Sequence, residues 1–347
     1  MSTWLLKAEN DPLAAIRQFL QDVWHQAGLE GMLVPIYQSG NKTTRTMLLH
    51  DPHRLANADP IVPLMQFNTG KLVAELTRQH PDAHLAAVLR ACEVRALDEL
   101  AKSDSLSLKN WLIIGTDCLG CFPAQDFEWR VQKAGGVEQL TRHVYRNARQ
   151  GGIALDRFRS ACRVCDNPEP SHVDLCIDLF GLPVKNSLLI FVQDENLARE
   201  LDLNQITDGP APLELILQHK IMLKKIEGRR RRARERQLRE LPPGLPAGLD
   251  ELANFILECQ PCRNCAQACP IHAEALMAAI DSGAISRDLA RQWLMSCAKC
   301  GMCEQACPKE VPLTAIMNRI RREVNVEVVT IEPDEARRET YASAHSN

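Results

Sequence analysis

A cysteine spacing that occurs twice near the carboxyl end limits this chain to a small number of folds. The pattern Cys-x-x-Cys-x-x-Cys-x-x-x-Cys-Pro comprises Cys259, Cys262, Cys265 and Cys269 in its first copy, and Cys297, Cys300, Cys303 and Cys307 in its second. Three closely spaced thiolates can reach one cubane, whereas the fourth thiolate reaches the other cubane. The spacing therefore predicts two 4Fe–4S clusters, one held by Cys259, Cys262, Cys265 and Cys307, the other by Cys297, Cys300, Cys303 and Cys269.

A proline follows the fourth cysteine of each copy, at Pro270 and Pro308. Because proline suits the first turn of a helix, where no amide hydrogen is needed, each fourth cysteine is expected to begin a helix. Zinc favours paired Cys-x-x-Cys knuckles over four cysteines in one short run. Buried structural cysteines would not repeat their spacing, so iron–sulfur ligation is the interpretation adopted for these eight residues.

Composition and charge indicate which partners and which cell compartment to expect for this chain. The 347 residues carry a formal net charge of -3 and only 5% are aromatic, so no nucleic-acid partner is expected. The first residues lack a secretory signal pattern, and no apolar run is long enough to form a transmembrane segment. We therefore expect a cytoplasmic protein, unless a partner's twin-arginine signal exports it. Fourteen cysteines in a reducing compartment favour metal binding over disulfides.

The hydrophobic pattern predicts an α+β multidomain fold, with an N-terminal α/β domain followed by an all-α dicluster ferredoxin domain. Short apolar runs of strand length alternate with helical stretches through residues 1–205. The runs are at 32–37, 85–89, 111–116 and 188–192, and the helical stretches include 13–26, 70–79 and 93–101.

The rest of the chain divides into three segments. Residues 206–248 are expected to form a basic connector, with one charged helix over 213–240 that a proline- and glycine-rich stretch ends. Residues 249–325 are expected to be wholly helical. Residues 326–347 are expected to form a flexible acidic tail.

Six further cysteines lie between residues 92 and 176. Four of them are candidates for a third metal centre: Cys92, Cys118, Cys162 and Cys165. The first two follow apolar runs of strand length, where amides at the mouth of a helix favour an anionic cluster, and the last two form a Cys-x-x-Cys pair. A third cubane and a zinc ion are both compatible with this set. Cys121 could replace Cys118 as a ligand, and Cys176 is expected in the core.

These motifs resemble two known families. Residues 250–325 resemble the helical dicluster ferredoxin module of heterodisulfide reductase and fumarate reductase-like proteins. Cys92-Glu-Val-Arg-Ala-Leu, Cys118 with Phe122, and the segment from Cys162 to Gly181 resemble, in order, motifs of the beta subunits of coenzyme F-420 hydrogenase and formate dehydrogenase. This second resemblance covers about residues 13–205. It implies FAD and one 4Fe–4S cluster held by Cys92, Cys118, Cys162 and Cys165, with electrons passing between that cluster and coenzyme F-420.

The chain departs from that family at the segment expected to approach a flavin phosphate. Family members begin with a Ser-Gly-Gly turn, whereas the corresponding helix here begins near Pro12 without paired glycines. Residues 38–44 and 68–71 could offer amides and a cation to a phosphate, and ordinary polar loops have the same composition. FAD binding and a flavin-free, cluster-bearing adaptor are therefore both open for this domain.

The combined interpretation is the electron-transfer (beta) subunit of a multisubunit oxidoreductase. By resemblance, a formate dehydrogenase is the first expectation for the catalytic partner and a hydrogenase the second. One alternative is a self-sufficient flavin/4Fe–4S oxidoreductase acting on a deazaflavin-type acceptor. Another is a non-catalytic adaptor that docks to a membrane or heterodisulfide-type complex. The run Arg229–Arg236 could bind an acidic partner or lipid heads, or could be a solvated helix face.

Overall fold

A computed structural model describes residues 2–38, 40, 42–151, 157–259 and 262–324 of the chain. The predicted tail at 326–347 and two residues of the segment 38–44 lie outside the described residues. Within those ranges a seven-stranded sheet with its helices precedes a helical region, so the fold is α+β and multidomain, as predicted. In the same ranges, no helix combines the length and apolar character needed to cross a lipid bilayer.

The sheet is mixed, with a parallel centre and antiparallel edges. The strands in the described residues are β1 (Ser2–Lys7), β2 (Gly31–Gln38), β3 (Thr43–Leu49), β4 (Leu85–Arg90), β5 (Trp111–Thr116), β6 (Leu175–Asp178) and β7 (Ser187–Val192). Their order is β1-β7-β6-β5-β4-β2-β3. The pairs β2–β4, β4–β5 and β5–β6 are parallel, whereas β1–β7, β6–β7 and β2–β3 are antiparallel.

The helices of the first domain lie between and after these strands. They are α1 (Pro12–Ala27), α2 (Thr69–Gln79), α3 (Ala91–Ser103), α4 (Ala124–Ala134), α5 (Val137–Tyr145), α6 (Ser160–Arg163), α7 (Glu195–Glu200) and α8 (Leu203–Ile206). Every residue of β4 and β5 is buried, and alternate residues of these strands belong to two different apolar cores. Such strands are typical of a sheet that is covered on both faces.

The connector helix α9 (Leu213–Arg239) packs on the first domain. Its buried residues, His219, Leu223, Ile226 and Arg230, recur at intervals of three and four and therefore lie on one face. Leu223 and Ile226 belong to the larger apolar core of the α/β domain. The arginine run is not wholly solvated, since Arg230 is buried and Arg234 forms an ion pair with Asp166.

The carboxyl-terminal region has its own apolar core. Its helices are α10 (Leu249–Glu258), α11 (Asn264–Gln267), α12 (Ala273–Asp281), α13 (Arg287–Met295), α14 (Met302–Gln305) and a last helical segment at 313–324. Arg263 and Gly301 each follow the second cysteine of a motif copy, and both have positive φ. This left-handed residue turns the chain into the one-turn helix that carries the third cysteine, Cys265 or Cys303.

The expectation that each fourth cysteine begins a helix is wrong. Pro270 and Pro308 lie in turns, and the next helices begin at residues 273 and 313. The physical reason is visible at Cys269, where the N–H of His272 donates to the Cys269 sulfur at 3.4 Å. An amide that faces the thiol in this way belongs to a turn around the sulfur, and the helix starts only after that turn.

Candidate metal centres

The first thiol set comprises the four residues predicted for one cluster: Cys259, Cys262, Cys265 and Cys307. These thiols line one cavity together with Ile256 and Ile280, and all four are partly exposed. Burial raises the pKa of Cys265 to about 11; an Ala266 hydrogen bond lowers that pKa, and the other three thiols raise it. The structure thus brings together thiols from both motif copies, with the donor type that a 4Fe–4S cluster takes.

The second thiol set comprises the four residues predicted for the other cluster: Cys269, Cys297, Cys300 and Cys303. Burial raises the pKa of Cys300 to about 12, and the thiols of Cys297 and Cys269 also raise it. Burial and the other three thiols of the set raise the pKa of Cys303 well above its ordinary value. The N–H of Lys299 donates to the Cys297 sulfur at 3.4 Å, as His272 does to Cys269. Such N–H···S bonds tune the potential of a bound cluster.

The third thiol set gathers five cysteines from loops of the α/β domain: Cys92, Cys118, Cys121, Cys162 and Cys165. Cys92 lies in the first turn of α3, directly after β4, and Cys118 follows β5. A hydrogen bond from the Cys121 side chain lowers the pKa of Cys118 to about 7 and that of Cys162 well below its ordinary value. Burial raises the pKa of Cys92, and the neighbouring Cys118 thiol raises it further.

Cys165 and Cys121 have different surroundings within the third thiol set. The Cys165 sulfur lies 3.9 Å from Arg95 Nη2 and 3.5 Å from the Asn167 carbonyl oxygen. Cys121 is 1% exposed, and its N–H donates to the Cys162 sulfur at 3.4 Å. The structure therefore brings the four predicted residues into one region and adds Cys121 between Cys118 and Cys162. The ligand choice Cys92, Cys118, Cys162 and Cys165 stays a prediction.

The spacing of the thiols bears on the zinc alternative. In the described part of the chain, no three cysteine sulfurs lie within 4.8 Å of one another. A tetrahedral zinc ion with bonds of about 2.3 Å holds its sulfurs about 3.8 Å apart. The thiols of the third set would have to move closer together to hold a single zinc ion.

Buried arginines surround the third thiol set. Arg159 Nη2 lies 3.7 Å from the Cys162 sulfur, and Arg90 donates to the carbonyl oxygens of Val62 and Leu64 at 2.7 and 2.9 Å. Arg159 Nε and both Nε and Nη2 of Arg230 are buried and find no hydrogen-bond partner among the described residues. Unpaired buried guanidinium N–H groups beside thiols fit an anionic group, such as a cluster with four thiolates.

Sequence patterns gave little indication of these arginines. Arg159 stands three residues before Cys162 and Arg90 two residues before Cys92, so their proximity to a cysteine was a weak available signal. Arg230 lies within the charged run and had no such signal. It reaches the third set because α9 packs across the domain, where Arg230 Nη1 donates to the Cys165 carbonyl oxygen at 3.0 Å.

The second and third thiol sets adjoin across the two domains. Cys121, Cys300, Met65 and Met302 form one buried cluster, against which Cys92 and Cys162 also pack. Arg159 spans this junction, because its Nη1 lies 3.6 Å from Met302 Sδ and its Nη2 3.4 Å from Met65 Sδ. The junction therefore joins the cysteine loops of the α/β domain to the second motif copy.

In one of the segments considered for a flavin phosphate, residues 68–71, two backbone amides already donate to side chains of this chain. At the start of α2, Asn68 Oδ1 accepts from the N–H of Gly70, and Glu93 Oε1 accepts from both the N–H and the hydroxyl of Thr69. Glu93 is therefore a helix-capping residue for α2. The other segment, residues 38–44, includes the end of β2 and the start of β3, and its residues Ser39 and Asn41 lie outside the described residues.

No protein-family model matches the chain, and no curated protein matches it. Among solved structures, the chain is similar to a chain of the F420-reducing NiFe hydrogenase complex from Methanosarcina barkeri, studied with xenon. The two are 11% identical with a TM-score of 0.48, over 68% of this chain and 92% of that chain. Neither fold nor function is inferred from a similarity this weak.

Proposed function

We propose that this chain is an iron–sulfur electron carrier with three 4Fe–4S clusters, acting as the electron-transfer (beta) subunit of a multisubunit oxidoreductase. Bound clusters of this type accept and release single electrons. The first thiol set would hold one cluster, the second set another, and four thiols of the third set the last. Resemblance of the cysteine motifs favours a formate dehydrogenase as the catalytic partner, with a hydrogenase second.

The observation that carries the proposal is the junction between the second and third thiol sets. Cys300 of the second set and Cys121 of the third belong to one buried cluster, so no solvent-filled gap separates the two sets there. Cys265 of the first set and Cys269, Cys297 and Cys303 of the second set belong to or pack against one apolar core. A continuous row of thiol sets across two domains suits a carrier, because serial centres must lie close together to exchange electrons.

The first and second thiol sets differ in exposure. All four thiols of the first set are partly exposed, whereas Cys300 and Cys269 of the second set are buried. Lys309 Nζ lies 3.8 Å from the Cys259 sulfur, at the outer end of the row. We propose that the first set faces a partner and that the third set exchanges electrons on the side of the α/β domain.

The arginines around the third set support a cluster there. Arg159 and Arg230 keep buried N–H groups without partners in the described residues, and a group with net negative charge would satisfy them. The donor set therefore fits a four-thiolate cluster. FAD is not part of this proposal, because the amides at the start of α2 are already used by Asn68 and Glu93.

Metal and flavin analysis of anaerobically purified protein tests the proposal. We expect about twelve irons and about twelve acid-labile sulfides per chain, which corresponds to three 4Fe–4S clusters. About eight irons with zinc lost on replacement of Cys162 would instead indicate two clusters and a structural zinc site. One flavin per chain together with turnover in the absence of a partner would favour the self-sufficient flavoenzyme.

A further inference from the structure

A second type of donor cluster, made of carboxylates and one imidazole, lies between the sheet and α9. Asp117 follows β5, Asp178 ends β6, and His219 lies on α9. One ligating atom from each of these three side chains lies within 4.8 Å of the other two. All three residues are at least nine-tenths buried, with exposures of 1%, 4% and 4%. Three segments of the chain thus converge on one enclosed point.

The hydrogen bond made by the imidazole directs its second nitrogen to this point. His219 Nδ1 lies 3.0 Å from the Phe180 carbonyl oxygen, which can only accept, so Nδ1 carries a proton. His219 Nε2 then faces Glu169 Oε1 at 3.3 Å and Asp178 Oδ2 at 3.7 Å, whereas Asp117 Oδ2 lies 3.7 Å from Nδ1. Histidine ligands of metal ions usually donate their other N–H to a carbonyl or carboxylate in this way.

Two carboxylate oxygens at this point have no partner. Asp117 Oδ2 accepts from the N–H groups of Leu179 and Phe180 at 2.7 and 2.8 Å. Asp117 Oδ1 and Asp178 Oδ1 are buried and receive no hydrogen bond from any described residue. A buried carboxylate oxygen without a partner is costly, and a cation is the group that satisfies it best.

We propose that Asp117, Asp178 and His219 bind one divalent metal ion, with the half-exposed Glu169 as a fourth ligand. One imidazole nitrogen and carboxylate oxygens form a donor set that zinc takes. Zinc bonds of about 2.0 to 2.1 Å place tetrahedral ligand atoms about 3.3 Å apart, close to the two distances around His219 Nε2. The ion would fasten α9 to the edge of the sheet. This inference does not depend on the proposed iron–sulfur clusters.

A proton on His219 could occupy the same point. Burial lowers the pKa of His219, but the carboxylates of Asp117, Glu169 and Asp178 raise it to about 10. Proton and metal ion therefore compete for Nε2, and the experiment must distinguish them.

Zinc retention by the complete, anaerobically purified chain makes that distinction. The protein is incubated with Zn²⁺ alone, desalted, and analysed for zinc and iron together. We expect one zinc per chain in the wild type, and a loss of at least about tenfold in His219→Ala and in the isosteric Asp178→Asn. His172→Ala is the matched control, because His172 forms an exposed 3.0 Å pair with Asp98 and should keep its zinc.

Three results would overturn the proposal. The first is a wild type that keeps no zinc after desalting, which leaves His219 as a protonated partner of the carboxylates. The second is zinc that persists in Asp178→Asn, a variant of unchanged side-chain shape whose iron content reports whether it is folded. The third is zinc that survives in His219→Ala but is lost in Cys162→Ser, which would assign the zinc to the third thiol set. A melting experiment would support the proposal if Zn²⁺ raises the melting temperature of the wild type and does not raise that of Asp178→Asn.

Discussion

Arg159 is the residue through which the two domains act on each other's thiols. Arg159 is 6% exposed, its guanidinium lies beside Cys162, and its charge lowers the pKa of Cys300 across the junction. Burial opposes the charge of Arg159, while the thiols of Cys162 and Cys121 raise its pKa, so it stays positive. A fixed positive charge between two centres favours the more negative, reduced state of each.

Removing that charge should make both neighbouring centres harder to reduce. We expect Arg159→Gln to lower the reduction potentials of the second- and third-set clusters by roughly 60 mV, a tenfold change in a one-electron equilibrium. An EPR-monitored redox titration measures this shift. Arg157→Gln is the control, since Arg157 is exposed two residues earlier. Equal potentials in wild type and Arg159→Gln would show that the guanidinium does not act on the clusters.

At the residue scale, cysteine spacing predicted which thiols meet, and charge patterns did not predict their surroundings. Cys307 lines the cavity of the first thiol set, and the exchange of Cys269 and Cys307 as ligands stays a prediction from the short spacing, which is a local property of the chain. Arg230 reaches the third set only because α9 packs across the sheet. No local sequence pattern predicts that Arg230 lies near these thiols. The additional neighbour Cys121 was visible as an alternative because it lies three residues after Cys118.

At the scale of elements, the second motif copy packs against α6 through the turn at Gly301. Gly301 has a φ of 67°, and a Cβ at this position would clash with the Ala161 Cβ. The equivalent residue of the first copy is Arg263, which adopts a similar φ of 51°. Glycine in the second copy is therefore required mainly by the close approach of α6.

Adding a methyl group at Gly301 should weaken the contact between the domains. We expect Gly301→Ala to lower the free energy of unfolding by about 2 kcal/mol more than Gly283→Ala, because overpacking adds to the conformational cost. Gly283 has a φ of 75° and open space around its Cβ position. Gly283→Ala therefore measures only the cost of a side chain at positive φ. Denaturant unfolding of both variants measures the difference. Equal losses of unfolding free energy would show that α6 can shift to accept the methyl group without destabilising the protein.

The sequence predicted the central elements better than the edges. The strand at 111–116 and the helix at 213–240 agree with β5 and α9, since long apolar or charged runs determine them. The edge strands β1 and β3 were missed because they are partly exposed and lack a clear apolar run. The four-residue strand β6 was also missed, although its residue Cys176 is buried as expected.

For the whole molecule, the arrangement of the three thiol sets could not be predicted from the sequence. The pattern predicted the grouping of cysteines in each domain, but contact between Cys300 and the third set depends on how the domains pack. Arg95 contributes to that packing, because its Nε donates to the Ala298 carbonyl oxygen at 3.1 Å. Gln305 adds a second link, with Nε2 donating to the Met65 carbonyl oxygen at 3.1 Å. The row of sets is thus a property of the interface.

The most direct test of this account is the iron content of Cys303→Ala beside Cys176→Ala, both purified anaerobically. Cys303 belongs to the second thiol set, whereas Cys176 is a buried cysteine outside all three sets. We predict that Cys303→Ala loses about four irons per chain and its share of the EPR signal, while Cys176→Ala keeps the wild-type content. Unchanged iron in Cys303→Ala, or an iron-free wild type, would contradict the account.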